Sequence, residues 1–83
     1  MKVLYFASLK VKTKVAQEDL ALPSDVKTVA DLVDWLKQRS PGHAEALADL
    51  RTVRVAVNQE HAGFDAPVSD GDEIAFFPPV TGG

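Results

Sequence analysis

The residues best placed to do chemistry are the last eight, Phe76-Phe77-Pro78-Pro79-Val80-Thr81-Gly82-Gly83. Two aromatics close an apolar run, two prolines follow, and a pair of glycines stands at the end. Those residue types in that order suit one reactive group, the terminal carboxylate of Gly83. A Pro-Pro step favours stiff, extended polyproline backbone and donates no bonds to a sheet, so it ends a strand and directs the remaining residues away from the body. Four residues follow Pro79, a reach of roughly 13 Å at ~3.3 Å each. Glycine has no Cβ, so Gly82-Gly83 fits a channel too narrow for any other residue. Pro78, Pro79, Val80, Thr81 and Gly82 then read as an inserting arm, and a partner enzyme brings its own machinery to Gly83. The same residues have a plainer reading. Termini fray, a Gly-Gly arises by chance or as a cloning remnant, and a Pro-Pro can simply stop a strand.

The rest of the sequence holds no self-sufficient catalytic set. It has no cysteine, hence no disulfide, thiolate ligand or thiol nucleophile, which fits a reducing compartment. His43 and His61 lack metal-ligand spacing to each other or to a carboxylate; they read as surface histidines, and no metal is expected. Ser8, Ser24, Ser40 and Ser69 sit in no nucleophile-elbow context. No glycine-rich loop precedes a helix, so the chain has no phosphate cradle and no bound cofactor is expected. Asp70, Asp72 and Glu73 around Gly71 read as turn residues, too few and too irregular for a calcium loop.

Composition narrows the partners. At 83 residues and 46% hydrophobic content, the chain is expected to be one small domain over 1–83, with 78–83 as a flexible tail. Nine basic against 12 acidic residues give a net charge of -3, which argues against nucleic acid. Lys10, Lys12 and Lys14 form a local basic cluster that reads as a solvated strand edge or loop. The apolar start of the chain is interrupted by Lys10. It is too short for a membrane span and lacks a signal-peptide layout, so the expectation is a soluble, complete, cytoplasmic protein with no membrane partner.

The elements that must position the tail follow from periodicity. Val3 to Ser8 predicts a strand with Val3, Tyr5 and Ala7 on one face and Leu4 and Phe6 on the other. With both faces apolar, it is either covered twice or has one face as a docking surface. Leu9 to Val15 is expected to be a loop, and Gln17 to Leu22 a second strand. Thr28, with Asp31 three residues on, predicts a helix start, and Val29, Leu32, Val33 and Leu36 define its buried stripe. Trp35 lies off that stripe, at the rim. Ser40-Pro41-Gly42 is expected to end this helix. A short second helix is expected over His43 to Leu50, with Ala44, Leu47 and Ala48 facing inward. Val53, Val55 and Val57 alternate as a half-buried strand. Asn58 to Gly63 reads as a turn region, Phe64 anchors a short strand before Pro67, and Ser69 to Asp72 is a tight turn. Glu73 to Phe77 is the last strand, with Ile74 and Phe76 on one face and Ala75 and Phe77 on the other. One main helix cannot cover both faces of a sheet. The economical solution is an α+β, β-grasp arrangement, a mixed sheet wrapped over that helix with first and last strands adjacent at its centre.

Val55-Ala56-Val57-Asn58, then Asp70-Gly71-Asp72-Glu73-Ile74-Ala75, and the ending FFPPVTGG closely resemble the small subunits of molybdopterin synthases, the MoaD-type sulfur carriers. Val3-Leu4-Tyr5-Phe6-Ala7 fits as well. The resemblance covers essentially the whole chain; its ending is highly specific and its N-terminal half only loosely so. One departure falls in Leu9 to Val15, where relatives commonly carry a glycine near the end of the segment and Lys14-Val15 stands here. The resemblance implies a ubiquitin-like β-grasp fold. It implies that an ATP-using adenylyltransferase, of the kind that also activates ubiquitin, adenylates the Gly83 carboxylate. A sulfur donor then converts it to a thiocarboxylate, a C-terminal 1-thioglycine. It further implies that the tail enters the large synthase subunit and gives its sulfur to cyclic pyranopterin monophosphate, within a heterotetramer. A C-terminal carboxylate with a pKa of ~3.5 is ionised at neutral pH and is a competent nucleophile toward an α-phosphate. Phe77 and the outward face of the first strand are the candidates for the docking patch. Three alternatives stay open: a carrier for thiamine, cysteine or tRNA thiolation, a modifier joined to lysines through Gly83, and an interaction module with an inert tail.

Overall fold

The computed structural model describes residues 1–79. Strand β1, Lys2–Tyr5, is followed by helix α1, Ser8–Thr13, and strand β2, Gln17–Asp19. Helix α2 covers Val29–Leu36 and helix α3 Pro41–Ala46, and a 3-10 turn covers Leu50–Thr52. Strands β3, Arg54–Val57, β4, Glu60–Ala62, and β5, Glu73–Phe77, complete the sheet. Its order is β2-β1-β5-β3-β4. β1 and β5 run parallel, and the remaining pairs are antiparallel. The first and last strands are therefore neighbours at the middle, as the pattern predicts.

Alternation decides what the sheet buries. Val3, Tyr5, Val55, Ile74 and Phe76 are each at most 2% exposed, and they share one core with Val29, Leu32, Val33 and Leu36 of α2. Period two in the strands and the 3.6-residue period in α2 thus meet in a single core, and the sheet wraps over the main helix in the expected β-grasp manner. The start of α2 is fixed by its own sequence. Thr28 Oγ1 accepts the Asp31 N–H at 3.2 Å, and Asp31 Oδ2 accepts the Thr28 N–H at 3.3 Å. This reciprocal cap stabilises such a helix start by about 1 kcal/mol. Trp35 is half-buried, at the rim as expected.

Four expectations are corrected. Leu9 to Val15 is not a loop: Ser8–Thr13 is helical, with Leu9 and Thr13 buried one turn apart. The lysine–apolar alternation looked like period two, yet Leu9 and Thr13 also satisfy i,i+4, and burial of that pair prevails. The second strand stops at Asp19 rather than reaching Leu22. Ser40-Pro41-Gly42 does not end α2, which already stops at Leu36 with Lys37 as its C-cap; it begins α3, with Ser40 as N-cap and Pro41 in the first turn, where its missing N–H has no cost. The buried residues of that region are His43, Ala46 and Leu47, while Ala48 is exposed. Finally, the short strand is Glu60–Ala62, not a segment around Phe64. Asn58 and Gln59 both take positive φ, 51° and 69°, giving a two-residue hairpin turn. Phe64 to Pro67 instead runs beside the start of α2, where the Phe64 carbonyl accepts the Ala30 N–H at 2.8 Å.

Candidate functional site

β5 is the middle strand of the sheet, and Pro78 and Pro79 follow it directly. A strand held on both sides by β1 and β3 is a rigid base for whatever leaves its end. Pro78 and Pro79 are half-buried and outside regular structure. The predicted reactive end, Gly83, and the predicted arm residues Val80, Thr81 and Gly82 lie outside the described residues.

Strand register lays out the face of the sheet that α2 does not cover. One row across it reads Gln17, Leu4, Ala75, Ala56, His61. The row farther from the tail reads Asp19, Lys2, Glu73. The row nearest the tail pairs Phe77 with Arg54, and Phe6 adjoins it through its N–H to the Phe76 carbonyl at 3.1 Å. The face therefore grades from charged at one end, through an apolar middle made shallow by two alanines, to aromatic beside the tail root. Phe6 is 48% exposed. Phe77, assigned to an interface from sequence, is half-buried, its ring meeting that of His61 edge-on at 5.4 Å and 78°. Exposed and half-exposed aromatics gathered at one end of an otherwise packed fold are what a docking surface provides. The sequence put Phe77, Leu4 and Phe6 on the face opposite Ile74 and Phe76, and the strand register holds them on that side. It missed Arg54 and His61, whose positions depend on the tight Asn58-Gln59 turn that pairs β4 with β3.

The other polar cluster lies inside the sheet. Glu18, on β2, accepts the Tyr5 hydroxyl at 2.9 Å, meets His43 Nε2 at 2.9 Å and Arg39 at 3.2 Å. His43 Nδ1 lies 2.7 Å from Ser40 Oγ, which also accepts the His43 main-chain N–H. With Nε2 donating to Glu18 and Nδ1 turned to the Ser40 hydroxyl, both ring nitrogens have a partner. His43 is thus not a surface residue: it is 5% exposed and stacked edge-on against Tyr5, while His61 is exposed as expected. Burial works to raise the Glu18 carboxyl, but the hydrogen bonds from His43 and Tyr5 and the charge of Arg39 outweigh it and hold it below the ordinary 4.5. Burial and the adjacent Glu18 push the Tyr5 hydroxyl far upward, so it remains a donor. Ser40, His43 and Glu18 follow each other as in a hydrolase relay, but Ser40 Oγ is engaged as a helix cap and the histidine is enclosed in the core. The cluster ties the edge strand β2 to α3; it offers no nucleophile to solvent.

A cleft of about 310 Å³ on the outer side of α2 is lined by Asp25, Val26, Asp31, Asp34, Trp35 and Gln38. Asp31 there is already engaged by the helix cap, which holds its carboxyl below the ordinary value chiefly through the Lys27 N–H. Among the described residues no three histidine, aspartate or glutamate side chains gather as a metal site. No helix of the described residues is long and apolar enough to cross a membrane.

Comparison with known proteins adds a second line. The ThiS family profile matches residues 3–83. The molybdopterin synthase sulfur carrier subunit of Escherichia coli (strain K12) is 43% identical over 83 residues, covering 100% of this chain and 99% of that protein. Among solved structures, the fold is similar to SAMP1 from Haloferax volcanii, with a TM-score of 0.75, 28% identity, and coverage of 100% of this chain and 98% of the other. It is also similar to a chain in the complex of subunits 1 and 2 of molybdopterin-converting factor from Helicobacter pylori 26695. There the TM-score is 0.62 and the identity 25%, with 99% of this chain and 96% of that chain covered.

Proposed function

Because the chain belongs to the ThiS family, we propose that it is the sulfur-carrier subunit of a molybdopterin synthase, working in the cytoplasm through the carboxylate of Gly83. An adenylyltransferase of the ubiquitin-activating kind joins that carboxylate to AMP at the expense of ATP. Attack by a sulfur donor then displaces AMP and leaves a thiocarboxylate. A carboxylate is a poor site for acyl transfer until it carries such a leaving group. The arm from Pro78 to Gly82 next enters the large synthase subunit, where the thiocarboxylate gives its sulfur to cyclic pyranopterin monophosphate as the dithiolene is built. This chain is one β-grasp domain, and residues 78–83 serve as its tail. It supplies the sulfur and its positioning; the partners supply nucleotide contacts and catalytic side chains.

The observation that carries this reading is the whole-length likeness to a named sulfur carrier, 43% identical from one end to the other. The geometry supports it. The middle strand runs straight into Pro78-Pro79, beside a sheet face whose tail end carries Phe6 and Phe77. The large subunit docks on that face, and the arm is then aimed at the bound pterin. The chain is tested by incubating it with ATP, an adenylyltransferase and a sulfur source, then with the large subunit and the pterin. Dithiolene formation is expected from the full chain and not from the chain lacking Gly82 and Gly83; equal product from both would end the proposal.

A second reading has an observation of its own. The likeness to SAMP1, small archaeal modifier protein 1, favours a modifier, which we infer would be joined to lysines through Gly83. That chemistry uses the same adenylate, with an amine in place of sulfur as acceptor. It predicts target proteins that gain the mass of this chain when ATP and the activating partner are present.

A further inference from the structure

Arg54 stands on the outer sheet face in register with Phe77. Among the described residues its guanidinium meets no carboxylate. Its hydrogen bonds, both 3.3 Å, go to the main-chain carbonyls of Arg51 and Val53. The neighbouring Arg51 is different, being bonded to both carboxylate oxygens of Asp49 at 3.0 Å. We propose that Arg54 is a specificity-determining residue of the docking face, read by a carboxylate on the large synthase subunit. The inference rests on the reading of this face as the docking surface.

Three observations lead there. First, a partner that covers the Phe77 ring also covers its cross-strand neighbour, and a guanidinium removed from water with its charge unbalanced, its two bonds here both running from Nη1 to main-chain carbonyls, is strongly unfavourable. The partner must therefore present an acceptor, and a carboxylate matches the planar fork of arginine with two parallel bonds. Second, the charge on the face is polarised against the net charge of the molecule. The chain carries -3 overall, yet the row beside the tail holds Phe6, Phe77 and Arg54 with no acid, and the acids Asp19 and Glu73 lie with Lys2 in the row at the far end. Third, that polarity gives a direction. A partner with its carboxylate close to the channel mouth docks in the orientation that feeds the tail inward, and the reversed orientation brings that carboxylate against Asp19 and Glu73. The apolar middle row holds the two proteins together; Arg54 selects the way round.

The test is calorimetric titration of the full chain with the large synthase subunit of the same organism, at low and at high salt. Arg54→Ala is expected to weaken binding about tenfold, and Arg54→Glu on the order of a hundredfold, with melting temperatures unchanged. The salt dependence of the wild type should flatten in Arg54→Ala. Wild-type affinity in Arg54→Glu, or an unaltered salt dependence in Arg54→Ala, would overturn the proposal. Phe77→Ala separates this failure from a deeper one. If Phe77→Ala weakens binding while Arg54→Glu does not, only the role of Arg54 is lost. If neither does, the outer face is not the docking surface at all.

Discussion

Glu18 gathers Tyr5, Arg39 and His43 around one carboxylate, so a single side chain links β1 and β2 to α3 and the connection that leads into it. Its folded-state pKa is held below 4.5. The stabilisation from these bonds is thus fully present above the unfolded-state value and is lost as pH falls through the folded one. Chemical denaturation across the acid range should show stability declining below about pH 4.5, and Glu18→Gln should flatten that decline while lowering stability at neutral pH. His43→Ala should cost about 1–3 kcal/mol, because it leaves the partly buried Glu18 and Ser40 short of a partner; an unchanged denaturation midpoint would show that water replaces the lost bonds. None of this was legible in the sequence. Glu18 and His43 are 25 positions apart, and only the fold, which packs α3 against α1, makes them neighbours. Phe77 was legible, because the alternation Glu73 to Phe77 puts Ile74 and Phe76 inside and forces Phe77 to the other face.

α1 shows what the sequence pattern concealed at the level of elements. The helix ends with Lys14 in the left-handed region, φ 66° and ψ 13°, its N–H returning to the Lys10 carbonyl. Any residue with a Cβ is strained there, and glycine is not. Lys14→Gly should therefore stabilise the protein by about 0.5–1 kcal/mol, a rise of roughly 2–8 °C in Tm for a domain of this size. The absence of a glycine at this point is also why the segment did not read as a capped helix. Gly42 is the complementary case. A methyl group on it would collide with the Lys12 carbonyl oxygen, since α3 passes against the end of α1. Gly42→Ala should lower stability by about 1–3 kcal/mol as the two helices part, and a neutral effect would mean they are not in contact. The start and the buried stripe of α2 were legible by contrast, because both lie within nine consecutive residues, Thr28 to Leu36, while its end came earlier than Ser40-Pro41-Gly42.

On the scale of the molecule, the proposed function separates support from chemistry. The core joins α2 to the inner face of the sheet, the outer face carries Phe77 and Arg54, and the middle strand runs into Pro78-Pro79. The β-grasp topology was legible because two apolar strands at the ends of the chain, one long amphipathic helix and a shortage of other helical surface leave few alternatives. The edge strands were not, since β2 and β4 are three residues each and are defined by their neighbours rather than by their own composition. Gly82→Ala belongs to this scale too. A Cβ added near the end of the arm should slow adenylation or transfer while moving stability by no more than ~0.5 kcal/mol. A large fall in Tm would place Gly82 in the folded body instead.

The carrier reading is tested most directly by the mass of the C-terminal fragment after incubation with ATP, the adenylyltransferase and a sulfur source. One sulfur should replace one oxygen, confined to Gly83, and the exchange should reverse when the large subunit and the pterin are added. A terminus that keeps both oxygens under those conditions, while dithiolene still forms, would show that the sulfur travels by another route.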